Sequence, residues 1–312
     1  MYWYYKYPFY LILAVIVLGA GYLIYSRIPW AARTGTAAAS GDAPPESRPH
    51  QASAAALEAA PANNAGRLLM AADRQLAADN PLAARLVAAQ VFLQPDVHLL
   101  DEQWTRAAEI VSRANTIFLN SDAPCPEKAR YEVRAGDSLV KIAAKFNTTV
   151  GALQRANKSK LQSDSALIFP GMVLHVYQGT WSIVVVKTRF ALLLMDGERL
   201  FKYYPVAIGR QDRTPVGTFV IGRDKLREPA WTPPGRNIPY GDPANVLGTR
   251  WLGLTPTGQT PATLKGYGIH GTWEPDSIGT AASEGCVRMN NSDVEELFDI
   301  VPAGAEVRIK EE

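Results

Sequence analysis

Two side chains in the last third of the chain have the chemistry for covalent catalysis. Cys286 lies in Ser283-Glu-Gly-Cys-Val-Arg288, and His270 precedes it in Tyr267-Gly-Ile-His-Gly-Thr272. A free thiol titrates near 8.5, so only a few per cent is thiolate at neutral pH and a nucleophilic cysteine needs a base. An imidazole, with an ordinary pKa near 6.5, can take the thiol proton and later return it to a leaving amine. Gly285 lets the backbone approach a substrate closely, and the amides beside it can point at an oxyanion. Spacing alone leaves open a structural cysteine and a surface histidine, so the surrounding elements have to decide.

Those elements are mainly β. Ile183–Lys187 and Ala191–Met195 read as strands, and Asp196-Gly197 is a two-residue hairpin signal before Leu200–Ile208. Thr218–Ile221, Trp251–Leu254 and Glu306–Ile309 add strands, and one late helix, Val294–Ile300, is capped by Ser292 or Asp293. Many short strands with one helix predict a mixed sheet or β-sandwich. Between Arg223 and Arg250 lie Pro229, Pro233, Pro234, Pro239 and Pro243, a loop long enough to serve as a lid.

His270-Gly-Thr, Ser283-x-Gly285-Cys286-Val287-Arg288, Phe201–Gly209 with Pro205-Val206, and Thr214-Pro-Val-Gly-Thr-Phe219 together resemble an L,D-transpeptidase catalytic domain of the YkuD family over about residues 181–310. The resemblance implies that Cys286 is the nucleophile and His270 its base, oriented by a backbone carbonyl. It implies that the Gly285 and Cys286 amides form the oxyanion hole, with Ser283, Arg288 and Gly271 supporting the loop. Tyr267, Thr272, Trp231 and Arg288 would contact substrate, Arg288 by pairing with a carboxylate. Many members have His where this chain has Glu284, and a carboxylate turned toward the thiol would raise its pKa; Glu284 is therefore expected to face outward. The implied reaction attacks the carbonyl of a third-position diamino acid in a peptidoglycan stem and expels D-alanine. A neighbouring stem amine then resolves the thioester. Acylation of the same cysteine by carbapenems is a further implication, and no cofactor is required.

Residues 130–177 form a second unit. Tyr131-Glu-Val133 alternates as a strand, and Asp137 or Ser138 can cap the helix holding Leu139, Ile142, Ala143 and Phe146. A second helix holds Val150, Leu153 and Asn157, and a strand closes the unit after Pro170-Gly171. Together with Leu174-x-Val176 this βααβ pattern resembles a LysM module. The resemblance implies binding to N-acetylglucosamine-containing glycan strands such as peptidoglycan through loops near Gly136, Asp137 and Ser138 and from Ser163 to Phe169.

Upstream, residues 7–28 are expected to be an uncleaved membrane helix: Tyr7–Ser26 carries no charge, spans roughly 30 Å as a helix and is flanked by Tyr and Trp at both ends. A peptidoglycan substrate would place residues 1–6 in the cytoplasm and residue 27 onward on the wall side of a bacterial plasma membrane. Residues 29–65 read as an Ala/Pro-rich tether; residues 31–65 hold fourteen alanines and four prolines without an aromatic, which leaves little to bury. Residues 66–120 switch to helical spacing, with a break at Asn80-Pro81, and predict three amphipathic helices in a spacer or docking segment. His98 and Trp104 there read as ordinary surface and core positions.

The whole is a multidomain chain: transmembrane helix, small all-α segment, α+β LysM module and mainly-β sandwich. Its 312 residues, 47% hydrophobic, exclude a wholly disordered protein. A net charge of +2, from 32 basic and 30 acidic residues, argues against nucleic-acid partners. Two cysteines and four scattered histidines, with no HExxH, argue against a metal site. Cys125 and Cys286 are both expected to be free, because a bridge between them would block catalysis. A wall-binding scaffold, attachment of a protein lysine, exchange of a free D-amino acid and hydrolysis by water remain open alternatives, since loops such as Arg223–Arg250 shape the acceptor side.

Overall fold

The computed structural model describes residues 63–161 and 167–312. The expected membrane helix, the tether up to residue 62 and loop residues 162–166 lie outside the described residues. Among those described, no helix is long and apolar enough to cross a membrane.

Helices α1 (Asn64–Ala77), α2 (Pro81–Ala89) and α3 (Glu102–Asn120) follow the helical spacing. Their starts are chemical: Asn63, Asn80 and Asp101 accept from backbone amides of the first turn, and Pro81 occupies a position where its missing N–H costs nothing. Ala72, Ala84, Ala88, Ile110 and Val111 fill the space between the helices. The segment is more than a spacer, because α3 is buried on two sides. Trp104 and Ala108 pack on Leu193 of the C-terminal β unit, and Ala114, Phe118 and Leu119 enter the main core.

The second unit consists of β1 (Lys128–Glu132), α4 (Leu139–Lys145), α5 (Val150–Ala156) and β2 (Val173–Tyr177). β1 and β2 pair antiparallel, with Tyr131 opposite Leu174. Ser138 caps α4 by accepting from Lys141 N, while Asp137 accepts from the Tyr131 hydroxyl and Arg134 N, both at 2.8 Å. Asn157 ties α5 to β2, donating to His175 O at 2.7 Å and accepting from His175 N at 2.8 Å.

The third unit comprises β3 (Trp181–Val186), β4 (Ala191–Asp196), β5 (Arg199–Pro205), β6 (Ile208–Gly209), β7 (Gly217–Arg227), β8 (Arg250–Pro256), β9 (Gly268–His270), β10 (Ala281–Ser283), β11 (Val287–Arg288), α6 (Asn291–Ile300) and β12 (Glu306–Lys310). It is mainly β, as expected. Its described strands form one continuous eight-stranded ladder, β11-β9-β8-β7-β12-β3-β4-β5, beside a small β6–β10 pair. Helices supply part of the cover that a second sheet would give: α3 lies over β4 and β5, and α6 packs against β8 and β9. The apolar alternation of β3 and β12 places Ile183, Val185, Val307 and Ile309 in the core.

Several boundaries differ from the sequence reading: the expected strand Leu200–Ile208 ends at Pro205, with Ile208 in β6, and two further differences lie next to the site. β7 runs on to Arg227 through a bulge between Ile221 and Lys225, so the proline-rich loop is shortened to residues 228–249. α6 starts at Asn291, and neither Ser292 nor Asp293 caps it: Asn290 takes the cap position, its side chain donating to the Asp293 carboxylate at 3.4 Å rather than accepting from a backbone amide of the first turn.

Candidate active site

The strand order brings the reactive residues to one edge of the sheet. β11 runs parallel to β9 with Arg288 opposite His270, so Cys286, just before β11, comes level with Gly268, two residues before His270. Cys286 Sγ lies 3.8 Å from Gly266 O and is partly exposed. It lines a cleft of about 400 Å3 with Trp231, Leu226, Leu247 and Trp251. His270 is 3% exposed, and its Nδ1 lies 2.6 Å from Gly271 O. A carbonyl only accepts, so Nδ1 carries the proton and Nε2 keeps its lone pair. The Trp251 ring stacks on the imidazole at 5.9 Å between centroids and 24° between planes.

Burial sets the protonation states. It holds His270 down to about 4, assisted by the Arg288 charge and opposed by the Gly271 and Leu247 carbonyls. Burial also pushes the Cys286 thiol up, while the Gly268 amide and the Arg288 guanidinium favour the thiolate. The resting pair is therefore thiol and neutral imidazole, so the proton must move as the nucleophile attacks.

The loop before Cys286 is held from several sides. Gly285 has φ +140°, a region that L side chains avoid, and an added Cβ would meet Tyr267 Cε1 at 2.8 Å. Ser283 Oγ donates to Cys286 O at 2.6 Å and accepts from Gly285 N at 3.0 Å. That engages the Gly285 amide inside the loop, leaving the Cys286 amide as this loop's candidate oxyanion donor. Thr214, 1% exposed, accepts from Gly209 N at 2.7 Å and donates to Gly285 O at 2.9 Å. Glu284 faces outward, as expected, and pairs with Arg210 and Arg213.

The expected substrate residues divide. Trp231 lines the cleft, while Tyr267 is packed behind Gly285. Thr272 is buried: its amide donates to Asn291 Oδ1 and its hydroxyl accepts from Glu274 N. Arg288 is 8% exposed and ion-paired with Glu274 at 2.9 Å, which fits loop support and the tuning of the pair rather than capture of a substrate carboxylate. Gly271 meets Asn291, where any Cβ would collide with the amide oxygen. In the second unit Gly136, Asp137 and Ser138 form one turn, and Phe169 is 59% exposed.

Trp251, Asp224, Thr214, Asn245 and Asn291 also belong to the site, and no role was read for them in the sequence. Asn291 Oδ1 accepts from Thr249 N and Thr272 N, tying the loop before β8 to the loop after His270. Asn245 donates to Pro229 O, Ile238 O and Pro239 O and accepts from Leu247 N, closing the proline-rich loop on itself. Thr214 lies in a motif quoted above. Trp251, Asp224 and Asn291 were signalled by no local pattern, since their partners are distant in sequence, and Asn245 bonds within a loop whose course the sequence does not give. Cys125 and Cys286 are both free thiols.

Known proteins align with both units. Residues 180–309 match the L,D-transpeptidase catalytic domain YkuD, and residues 131–176 match the LysM domain. The chain is 37% identical over 184 residues to a putative L,D-transpeptidase YkuD of Bacillus licheniformis, covering 57% of this chain and 97% of that protein. A putative L,D-transpeptidase YkuD of Bacillus subtilis is 36% identical over 184 residues with the same coverage. The solved structure of an L,D-transpeptidase from Mycobacterium smegmatis aligns with 19% identity and a TM-score of 0.33, over 45% of this chain and 63% of that one. With a LysM domain joined to an L,D-transpeptidase catalytic domain, the chain belongs to the YkuD family of L,D-transpeptidases.

Proposed function

We propose that the chain is an acyltransferase that cross-links peptidoglycan stems through a thioester on Cys286. The reading is carried by one arrangement: a partly exposed thiol at a 400 Å3 cleft, at the head of the strand paired with the one that ends in a buried imidazole whose Nδ1 is fixed by a backbone carbonyl. Cys286 Sγ attacks the carbonyl of the third-position diamino acid while Nε2 of His270 takes the thiol proton. The Cys286 amide faces the developing oxyanion. Collapse breaks the bond to D-alanine, whose amine leaves with the proton from His270. An acceptor amine then gives its proton to His270 and attacks the thioester; the new amide forms, the S–C bond breaks, and the thiol regains its proton. The LysM unit would hold glycan strands near the site through the Gly136–Ser138 turn and Phe169. Residues 7–28 would anchor the enzyme in the plasma membrane, a reading supported by the uncharged, aromatic-flanked run Tyr7–Ser26 and by the extracytoplasmic location of peptidoglycan.

Mass spectrometry of products from disaccharide-tetrapeptides tests the reading. The wild type is expected to give a dimer that has lost one D-alanine, and Cys286→Ala is expected to give none. Tripeptide alone would mean that water is the acceptor; equal products from both proteins would remove Cys286 from the mechanism.

A further inference from the structure

A single charged side chain, Asp224, stands among the residues lining the cleft; its companions there, including Leu226, Trp231 and Trp251, are neutral. The placement is built by the backbone. β7 carries two extra residues in its bulge, where Ile221 pairs with Leu254 but Lys225 pairs with Leu252. Successive side chains in a strand face opposite ways. Lys225 accordingly reaches Phe298 O and Val301 O of α6, both at 2.6 Å, while Asp224 and Leu226 face the cleft. Gly222 and Gly253 clear a bed for the carboxylate, since a Cβ on either would collide with it. Its polar partner among the described residues is neutral: Trp251 Nε1 donates to Oδ2 at 3.4 Å. The same indole stacks on His270, so carboxylate, indole and imidazole follow one another along β7, β8 and β9, and the thiol comes next.

A carboxylate in an otherwise neutral cleft is costly once a ligand displaces water, unless that ligand brings a cation. We propose that Asp224 is a specificity-determining residue that receives the side-chain ammonium of a diamino acid in the substrate. This rests on the reaction proposed above, in which the donor stem carries such an ammonium beside the scissile bond and the acceptor stem presents one to the thioester. The shared chemistry is a primary ammonium, and the two sources are separable by experiment.

The probes are tetrapeptide donors with the third-position side-chain amine free or acetylated, resolved by water, and free-amine acceptors titrated against a fixed donor. Wild type is expected to favour the free-amine donor, or to show a low KM for the amine acceptor, or both. Asp224→Asn keeps an oxygen for the Trp251 indole and removes the charge. It is expected to cut the free-to-acetylated kcat/KM ratio, or to raise the acceptor KM, by roughly tenfold or more, the size of one charged hydrogen bond. Asp224→Glu should restore most of that preference. Leu226→Lys, a change at a 47% exposed position on the same face, should reproduce the loss by supplying an internal cation. A change in the first assay assigns the ammonium to the donor, and a change in the second assigns it to the acceptor. Wild-type ratios and KM values in both Asp224→Asn and Leu226→Lys would overturn the proposal. Failure of the underlying reaction reads differently, as wild-type enzyme that turns over neither donor.

Discussion

At the residue scale, the proposed chemistry depends on two groups kept neutral until they react. His270 is held near 4 by burial and the Cys286 thiol is pushed up, so the imidazole can accept a proton throughout the neutral range. Alkylation of Cys286 followed against pH should show no acid limb near 6.5, and an NMR titration should find His270 neutral at pH 6; an imidazole titrating at 6.5 or above would contradict this. The stability consequence has a definite sign. The folded pKa lies below the unfolded one, so the unfolded chain binds more protons between pH 4 and 6.5 and stability rises with pH through that window. The contribution is fully present above 6.5 and is lost as pH falls toward 4, amounting to roughly 3 kcal/mol. Urea unfolding at pH 4.5 and 7 should show a smaller difference for His270→Asn than for wild type. Thr214→Val leaves the Gly209 amide and the Gly285 carbonyl unpaired in a buried place. It should cost about 2 kcal/mol and slow acylation, since Gly285 then loses a restraint; an unchanged acylation rate would show that Ser283 alone holds the loop. Cys286, His270, Gly285 and Ser283 were legible in the sequence because they are close together along the chain. Asp224 and Trp251 were not, because Trp251 meets His270 and Asp224 meets Trp251 only across strand pairings that no local pattern encodes.

At the element scale, the proline-rich connection shows how a structureless sequence becomes ordered. Residues 228–249 hold one two-way backbone pair, between Trp231 and Ile238 at 2.8 Å in each direction, and one organising side chain, the 1% exposed Asn245. The proline run made the loop visible in the sequence, but not the amide that closes it. Asn245→Ala removes three donated bonds and one accepted bond and should loosen the Trp231 wall of the cleft. The expected result is a several-fold rise in donor KM with a smaller change in kcat; a loss confined to kcat would mean that the loop acts on the nucleophile instead. The start of α6 teaches a related lesson. Ser292 and Asp293 are good caps by type, yet the helix begins one residue before Ser292, because Asn291 is committed to the Thr249 and Thr272 amides. Local preference gave way to a tertiary demand next to the site.

At the scale of the whole molecule, the described units are bound to one another by specific contacts. Asn115 of α3 donates to Phe201 O at 2.8 Å, and Ser112 Oγ accepts from Tyr203 N. Arg85 of α2 reaches Glu127, which also pairs with Arg199 of β5. In the LysM unit Arg155 pairs with Asp299 of α6 at 2.9 Å, and Gly151 approaches so closely that a Cβ would sit 2.8 Å from Asp299 Cβ. The helical periods of residues 66–120 were legible, but the second apolar face of α3 reads as ordinary amphipathicity until the sheet it covers is known. A protein lacking residues 64–120 should therefore expose Leu193, Phe201 and Tyr203 and bind a hydrophobic dye or aggregate. A monodisperse, fully active product of that deletion would show that α3 is dispensable cover.

The proposed mechanism requires a covalent bond to one sulfur. Wild type and Cys286→Ala should be incubated briefly with a tetrapeptide donor, quenched in acid, and examined by intact mass and peptide mapping. The predicted result is a donor-minus-D-alanine adduct on the peptide carrying Cys286, labile to hydroxylamine and absent from the variant. An adduct on another residue, or turnover by Cys286→Ala at the wild-type rate, would contradict the account.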